Sequence, residues 1–554
     1  MSHNEERIKL KDYDHILVIS SWGSPEEYEE TKYALELKVV KNNEPRRITR
    51  SPSDKDYHCC HSSTAAIKDW LKKLDINEDK LTLLIFVQDT ILLNHIKSNE
   101  GEYFRKEGKN YKRRELKDRL LLRLYDQKQK AAWELNVKKK EDYDKIVRFV
   151  PGVITSKEGA YLYTWRYERS YDLLLASIIL FTYEKLKEIR EHKNFKSLAI
   201  LMDTTHGINY FVAALKEGIL KATTLYVLDD LVEKGFDSYN FSRLEEIIVY
   251  HYNSDPLSPK SKGVPSLKLH LLGETAIVRD GSPIFNSLFS IVEEHVSSEG
   301  LEVLSDQLNM WWGRIDWKKV IEALLLFSRG LLVWALRAIL DIPSLPSIEE
   351  LIEAFNNIEL EFSKNNDKNY SINYKPEVGR NPLAHVVEYS LMASSLKKLA
   401  EKSSCASDVY GRGFEFIEKV SQELKSELEK VGLHEVLQNI IKHKDEYKCF
   451  RLEKIQQVTG LMYTSPYFDI VENEIKNIDE YLRRDIKDIG WCRLNNHVYK
   501  ERRCKPAYII DYSYSRLLIS ETDKINVENR VIYAHAGLAY GLPWFAFKLK
   551  ENSN

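Results

Sequence analysis

The sequence predicts a doubly wound α/β layer in its first half and a mainly α-helical second half, on three observations. Short apolar runs rich in β-branched residues recur up to about residue 265, with helical patterns between them. Those runs are apolar throughout, as in parallel strands covered on both faces, and do not alternate. Beyond Pro265 the strand signals fade and apolar residues recur at helical spacing.

Taken in order, the strand candidates are His15 to Ser20, Leu81 to Val87, Leu198 to Met202, Thr224 to Leu228 and Glu246 to Tyr250. The helices between them are Thr64 to Leu74, Ser170 to Arg190 and Ile208 to Glu217, which serve as crossovers in a parallel sheet. Residues 1–265 are therefore read as one domain, with a basic helical insertion near 101–147. Between Gly101 and Lys140 the chain carries 14 Lys/Arg against 6 Asp/Glu, and Leu116, Leu120, Leu121 and Leu124 give the insertion a helical stripe. The insertion is either a solvated helical excursion or a surface for an RNA backbone or an acidic partner. Residues 266–375 are read as a helical connector, and residues 376–554 as a helical domain. Helices are expected within 300–345, 383–402, 412–443 and 468–489. Ser347 to Glu350 has the pattern of a capping box, and the polar stretch Asn365 to Pro376 reads as a loop between helices.

Composition narrows the function classes. The chain has 554 residues, 82 Lys+Arg against 84 Asp+Glu, and 43% hydrophobic residues, which describes a globular protein without a wholesale electrostatic partner. The most apolar stretch, Ile321 to Leu340, is broken by Glu322, Arg329 and Arg337, so no membrane partner is expected. The polar start, Met1 to Lys11, has no secretory pattern, and a cytoplasmic protein is expected. The 6 cysteines show no Cys-x-x-Cys pair, and Cys59-Cys60-His61 alone makes a weak metal signal, so no metal site and no cofactor are assigned.

Ligands of open α/β sheets bind beyond the carboxyl ends of the strands. Those ends read Ser20-Ser21-Trp22-Gly23-Ser24, Gln88-Asp89-Thr90, Asp203-Thr204-Thr205-His206-Gly207-Ile208-Asn209 and Asn253-Ser254-Asp255-Pro256. Small hydroxyl residues and glycine let backbone N–H groups approach a phosphate, and a helix beginning near Ile208 aims its positive end at such an anion. Trp22 offers a face for a base and Asn209 a contact to base or ribose. Each has a plainer reading, a core tryptophan for Trp22 and a helix cap for Asp203; together they favour a nucleotide-like ligand. No Gly-rich dinucleotide fingerprint and no Gly-Lys-Ser/Thr phosphate loop is present.

The second half holds two Arg-x4-His segments, Arg380 to His385 and Arg530 to His535. Imidazole titrates near neutrality and moves protons, while guanidinium holds phosphate oxygens, a combination suited to RNA cleavage. One such pair per chain is too few for a full acid–base set, which points to a site shared by two subunits.

These segments resemble the CARF–HEPN ancillary ribonucleases of type III CRISPR systems. Similar to that family, in the same order, are Ile16 to Tyr33, Pro151-Gly152-Val153, Asp203 to Asn209, Asn253 to Pro256, and Asn529 to Leu538 with its Ala-His-Ala-Gly. The resemblance implies a Rossmann-like CARF domain followed by a HEPN domain. The first would bind a cyclic oligoadenylate, tetra-adenylate favoured, as an allosteric activator across a homodimer or a higher oligomer of dimers. Trp22, Gly23, Ser24, Asp89, Thr90, Thr205, His206, Gly207 and Asn209 would line that pocket. The second would be a metal-independent endoribonuclease acting on single-stranded RNA in antiviral defence, leaving a cyclic phosphate end. There His535 would move protons, Arg530 would position the phosphate and Asn529 would support it, with Arg380 and His385 as the second candidate pair. The family usually has a polar residue after the arginine; Asn381 keeps that pattern after Arg380, whereas Val531 follows Arg530. Two alternatives remain, a catalytically inactive CARF sensor or scaffold and a CARF-type DNA-binding regulator.

Overall fold

A computed structural model describes residues 6–403, interrupted chiefly at 23–28, 42–46, 51–56, 93–109, 127–133, 136–139, 234–243, 256–263, 284–297, 329–334 and 375–382, together with Gln422. The expectations placed on Gly23, Ser24, Gly207, Arg380, Asn529, Arg530 and His535, and on helices at 412–443 and 468–489, lie outside the described residues. The chain divides into two compact units. The first comprises Met1–Leu228, Asn240–Ile284 and Pro346–Leu391; the second comprises Asp229–Tyr239, Phe285–Leu345 and the chain from Met392 onward.

The first unit is built on a nine-stranded sheet. Its strands are β1 (His15–Trp22), β2 (Thr31–Leu35), β3 (His58–Cys60), β4 (Leu81–Gln88), β5 (Val147–Val150), β6 (Ser197–Asp203), β7 (Glu246–Ser254), β8 (Ser266–Arg279) and β9 (Ser282–Pro283). The central order is β7-β6-β1-β4-β5, parallel throughout. All eight residues of β1 are buried, as the uninterrupted apolar run predicted for a strand covered on both faces. Three antiparallel pairings lie beyond β7: β8 with β7, β9 with β8, and β3 with β2, which itself lies parallel to β8.

Helices α1 (Ser63–Lys73), α2 (Arg113–Asp126), α3 (Lys140–Ile146), α4 (Ser170–His192) and α5 (Asn209–Glu233) follow in chain order. In the second unit, α6 (Ser298–Trp311) packs on α7 (Trp317–Ser328). Two more helices complete the described residues, α8 (Ile348–Asn356) and α9 (Leu383–Ser403). Ser347 caps α8 with the reciprocal Ser347–Glu350 hydrogen bonds expected of a capping box. No helix among the described residues is long and apolar enough to cross a membrane.

Three expectations are corrected. Thr224 to Leu228 is not a strand but part of α5, which runs to Glu233 instead of stopping at Glu217. The helix is buried nearly all round, with Phe211, Leu215, Ile219, Leu225 and Val227 at 0–1% exposure, and a five-residue apolar run is the same pattern in a buried helix as in a buried strand. Gly218 is a close approach rather than a helix stop, since a Cβ there would stand 2.6 Å from Ile178 Cγ2 of α4. Second, strands do not end at Pro265: the 14 residues of β8 continue the sheet, so residue 265 falls between two paired strands. Its one-sided burial, with Leu267 and Leu269 inward beside Lys268 and His270, and a register shift opposite His251 and Tyr252, weakened the signal. Third, Asn365 to Pro376 is not simply a loop. Glu359–Asn366 and Asn369–Tyr374 form an antiparallel hairpin in a second, five-stranded sheet with Asn110–Lys112, Ile154–Glu158 and Tyr161–Arg166.

Candidate ligand-binding site at the strand switch

Within the parallel core, β4 and β5 lie on one side of β1 and β6 and β7 on the other, the chain visiting β2 and β3 at the far edge before it reaches β4. The carboxyl ends of β1 and β6 therefore flank the topological switch of the sheet, where open α/β folds place their ligands. Ser20 and Asp203 are register partners there. Asp203 is fully buried and its carboxylate organises the site: Oδ2 accepts from Ser20 Oγ at 2.9 Å and from Ser63 Oγ at 2.6 Å, and Oδ1 accepts from Thr205 N at 3.1 Å. Ser62 caps α1 by accepting from Ala65 N, so the positive end of this helix faces Asp203 and His206. The Ser63 N–H points at His206 Nε2, 3.4 Å away, which leaves the ring proton on Nδ1. Burial holds His206 below its ordinary value against the opposing pull of Asp203, so the ring is neutral at physiological pH.

Two hydroxyls at these strand ends are buried with no hydrogen-bond partner among the described residues, Ser21 Oγ and Thr205 Oγ1. Such groups are costly to bury empty-handed, and a polar ligand is one way to satisfy them. Beside them Thr204 donates to the Tyr252 carbonyl at 3.1 Å, so His251 Nε2, 3.0 Å away, is the donor to Thr204 Oγ1.

The end of β4 is a second cluster. Asp89 accepts from Gly152 N at 2.8 Å and from the Tyr374 hydroxyl of the hairpin. Burial pushes its carboxyl up to about 6, with Arg113, Tyr374 and Gly152 pulling the other way. Thr90 packs against Gly152, and Gln88 Oε1 accepts from Tyr210 OH in the first turn of α5 at 3.4 Å.

Of the residues read from sequence, the structure brings together Thr205 and His206 at the switch, with Asn209 opening α5 just beyond. Asp89 and Thr90 lie at the next strand end, with Asp89 committed to Gly152 and Tyr374. Trp22 is a core tryptophan: it is 0% exposed and its indole N–H donates to Thr64 Oγ1 at 2.9 Å, fastening β1 to α1, with no ring face open to a base. His385 sits in the first turn of α9, stacked on Tyr389 with centroids 5.4 Å apart and 3.9 Å from Glu388 Oε2. Sequence reasoning passed over Ser62, Ser63, His251 and Tyr374. The hydroxyl triplet Ser62-Ser63-Thr64 ahead of a helix was a legible signal; nothing local marks Tyr374.

Residues 17–256 match the family model of the CARF domain of the CRISPR system endoribonuclease Csx1. This part of the chain is similar to a CARF domain. The match runs from within β1 through β7, so it includes both strands of the switch, the Ser62-Ser63-Thr64 start of α1 and residues 203–209. The residues similar to a CARF domain thus include the strand ends that carry Ser21 and Thr205, while β8, β9 and the hairpin with Tyr374 lie outside the match. No curated protein matches the chain.

Proposed function

We propose that the protein senses a cyclic oligoadenylate in a type III CRISPR system, and that its C-terminal half is a HEPN endoribonuclease released by that signal. The observation that carries the sensor reading is the switch of a CARF-type sheet lined with buried hydroxyls, two of which lack partners, beside the positive end of α1. A phosphate-bearing ring supplies acceptors for Ser21, Thr205 and free backbone N–H groups. Neutral His206 stands at the same strand end as these hydroxyls. Asn209, Thr90, Gly207, Gly23 and Ser24 belong to the same reading.

For the nuclease, the Arg530-x4-His535 segment in its Ala-His-Ala-Gly setting supports the assignment. An RNA 2′-hydroxyl attacks the adjacent phosphate to form a 2′,3′-cyclic phosphate as the P–O5′ bond breaks; His535 of one subunit takes the 2′ proton and the partner's His535 protonates the leaving 5′-oxygen, while Arg530 holds the non-bridging oxygens and Asn529 orients them, with no metal needed. Two subunits bring two such sets together, so the working form is a homodimer. Ligand binding favours the arrangement in which they meet.

Incubating the full chain with labelled single-stranded RNA and EDTA, with and without cyclic tetra- or hexa-adenylate, tests the whole reading. Cleavage that appears only with the ring and vanishes in His535→Ala is the expected result. Tight binding of the ring with no cleavage under any nucleotide would leave a sensor without a nuclease, a reading that Val531 after Arg530 favours.

A further inference from the structure

One helix, α5, leads away from the strand switch, and a second, α9, is tied to it by ion pairs. α5 begins at Asn209, three residues after His206, and its Tyr210 touches Gln88 at the end of β4. α9 begins at Leu383. Both pass from the first unit into the second, after Leu228 and after Leu391. Within the first unit, Lys221 of α5 donates to Glu388 Oε1 of α9 at 2.7 Å and lies 2.8 Å from Glu217 Oε1. Within the second, Lys398 of α9 donates to Asp229 Oδ1 of α5 at 2.7 Å and to Glu233 at 3.3 Å. In each pair the α5–α9 link uses a carboxylate almost shut off from water, with side chains 3% exposed for Glu388 and 4% for Asp229.

A buried carboxylate deprived of its cation is strongly unfavourable. Within the first unit, α5 therefore cannot shift by a turn along α9 without stranding Glu388, and a displacement begun at the Asn209 end of α5 carries the start of α9 with it. Lys221 is well suited to hold: burial favours its neutral amine, yet Glu388 and Glu217 raise it above its ordinary value, so it stays charged. The first turn of α9 is also held to α4, where Asp172 Oδ2 accepts from Ala384 N at 3.3 Å.

We propose that the Lys221–Glu388 ion pair is the joint that passes occupancy of the strand-switch crevice from α5 to α9, and through α9 to the second half of the chain. The proposal rests on the sensor reading above and names the residues that carry its output.

Hydrogen–deuterium exchange on the full chain, with and without cyclic tetra-adenylate, separates the two. Altered protection at the ends of β1 and β6 reports binding, and altered protection over Leu383–Ser403 reports transmission. The wild-type protein is expected to show both. The double variant Lys221→Met/Glu388→Gln leaves neither charge alone; it should keep affinity for the ring within about threefold, lose the α9 response and lose about tenfold or more in ligand-stimulated RNA cleavage. The reversed pair K221E/E388K should regain the α9 response, and it carries the test if the neutral pair gives no cooperative melt. No change at β1 and β6 in the wild type would remove the sensor reading itself. A change there with none over α9, or a folded neutral pair that responds like the wild type, would overturn the joint and leave the sensor standing.

Discussion

Gly152 lies so close to Thr90 that a Cβ built on it would stand 2.7 Å from Thr90 Cγ2, and 2.9 Å from both Thr90 Oγ1 and Gln88 Oε1. The contact lets the Gly152 N–H reach Asp89, and so joins the ends of β4 and β5. Gly152→Ala should therefore destabilise the protein by about 1–3 kcal/mol through overpacking. Thr90→Ser, which deletes the nearest methyl, should recover part of that loss when combined with it. Urea melts of the two single variants and the double measure both; an alanine variant as stable as wild type would mean that the neighbours yield freely.

Asp89 carries the next expectation. Its carboxyl is raised from 3.8 to about 6, so the folded state keeps its proton while the unfolded chain loses it. Stability from this group is thus complete below about pH 4 and is lost as pH rises to 6. Asp89→Asn removes that dependence, and the wild-type advantage over it should shrink by about 2–3 kcal/mol between pH 4 and 7. A constant difference across the range would show that the carboxyl titrates normally. Tyr374→Phe removes the donor to Asp89 and should couple to Asp89→Asn by about 1–3 kcal/mol in a double-mutant cycle at pH 7.

His15 works in the opposite direction. It is buried, bonded to Thr82 Oγ1 at 2.9 Å, and lowered from 6.5 to about 4 by burial and by Lys193. The unfolded chain takes up a proton near 6.5 that the folded one resists, so this stability is complete above 6.5 and is lost as pH falls toward 4. His15→Gln should make the protein less sensitive to acid, worth about 2–3 kcal/mol at pH 4. Between pH 4 and 6 the His15 and Asp89 contributions run against each other, so a flat wild-type profile is compatible with both and only the variant differences separate them. Equal acid sensitivity in His15→Gln and wild type would refute the assignment.

The central sheet was legible because its strands are buried on both faces: the runs at His15, Leu81, Leu198 and Glu246 have no other reading that also explains the intervening helices. The same logic failed at Thr224, where burial on all sides erased the period that separates helix from strand. It failed again at β8 and the Asn369–Tyr374 strand, whose polar residues serve an exposed face and a hairpin. The site followed a similar division. Thr205 and His206 were legible as candidates because they directly follow a buried strand, at the end of the sheet where α/β folds place their ligands. Tyr374 was not, because its partner Asp89 is 285 residues away and no local pattern anticipates the meeting.

The unpaired hydroxyls supply the sharpest separation of stability from function. Ser21 Oγ and Thr205 Oγ1 were desolvated on folding and have no partner among the described residues. Removing an unsatisfied buried hydroxyl returns its desolvation penalty, so Ser21→Ala should be neutral or stabilising by about 1 kcal/mol, and Thr205→Val, whose side chain has the same shape, likewise. If those groups exist to meet a ligand, the same changes should weaken cyclic tetra-adenylate binding by about tenfold each, one hydrogen bond's worth in a buried site. Calorimetric melting and titration on the same preparations give the two numbers. Gains in stability paired with losses in affinity would tie the two hydroxyls to recognition. Losses in both would mean that Ser21 and Thr205 have structural partners in solution, and the crevice would then need another explanation for its polarity.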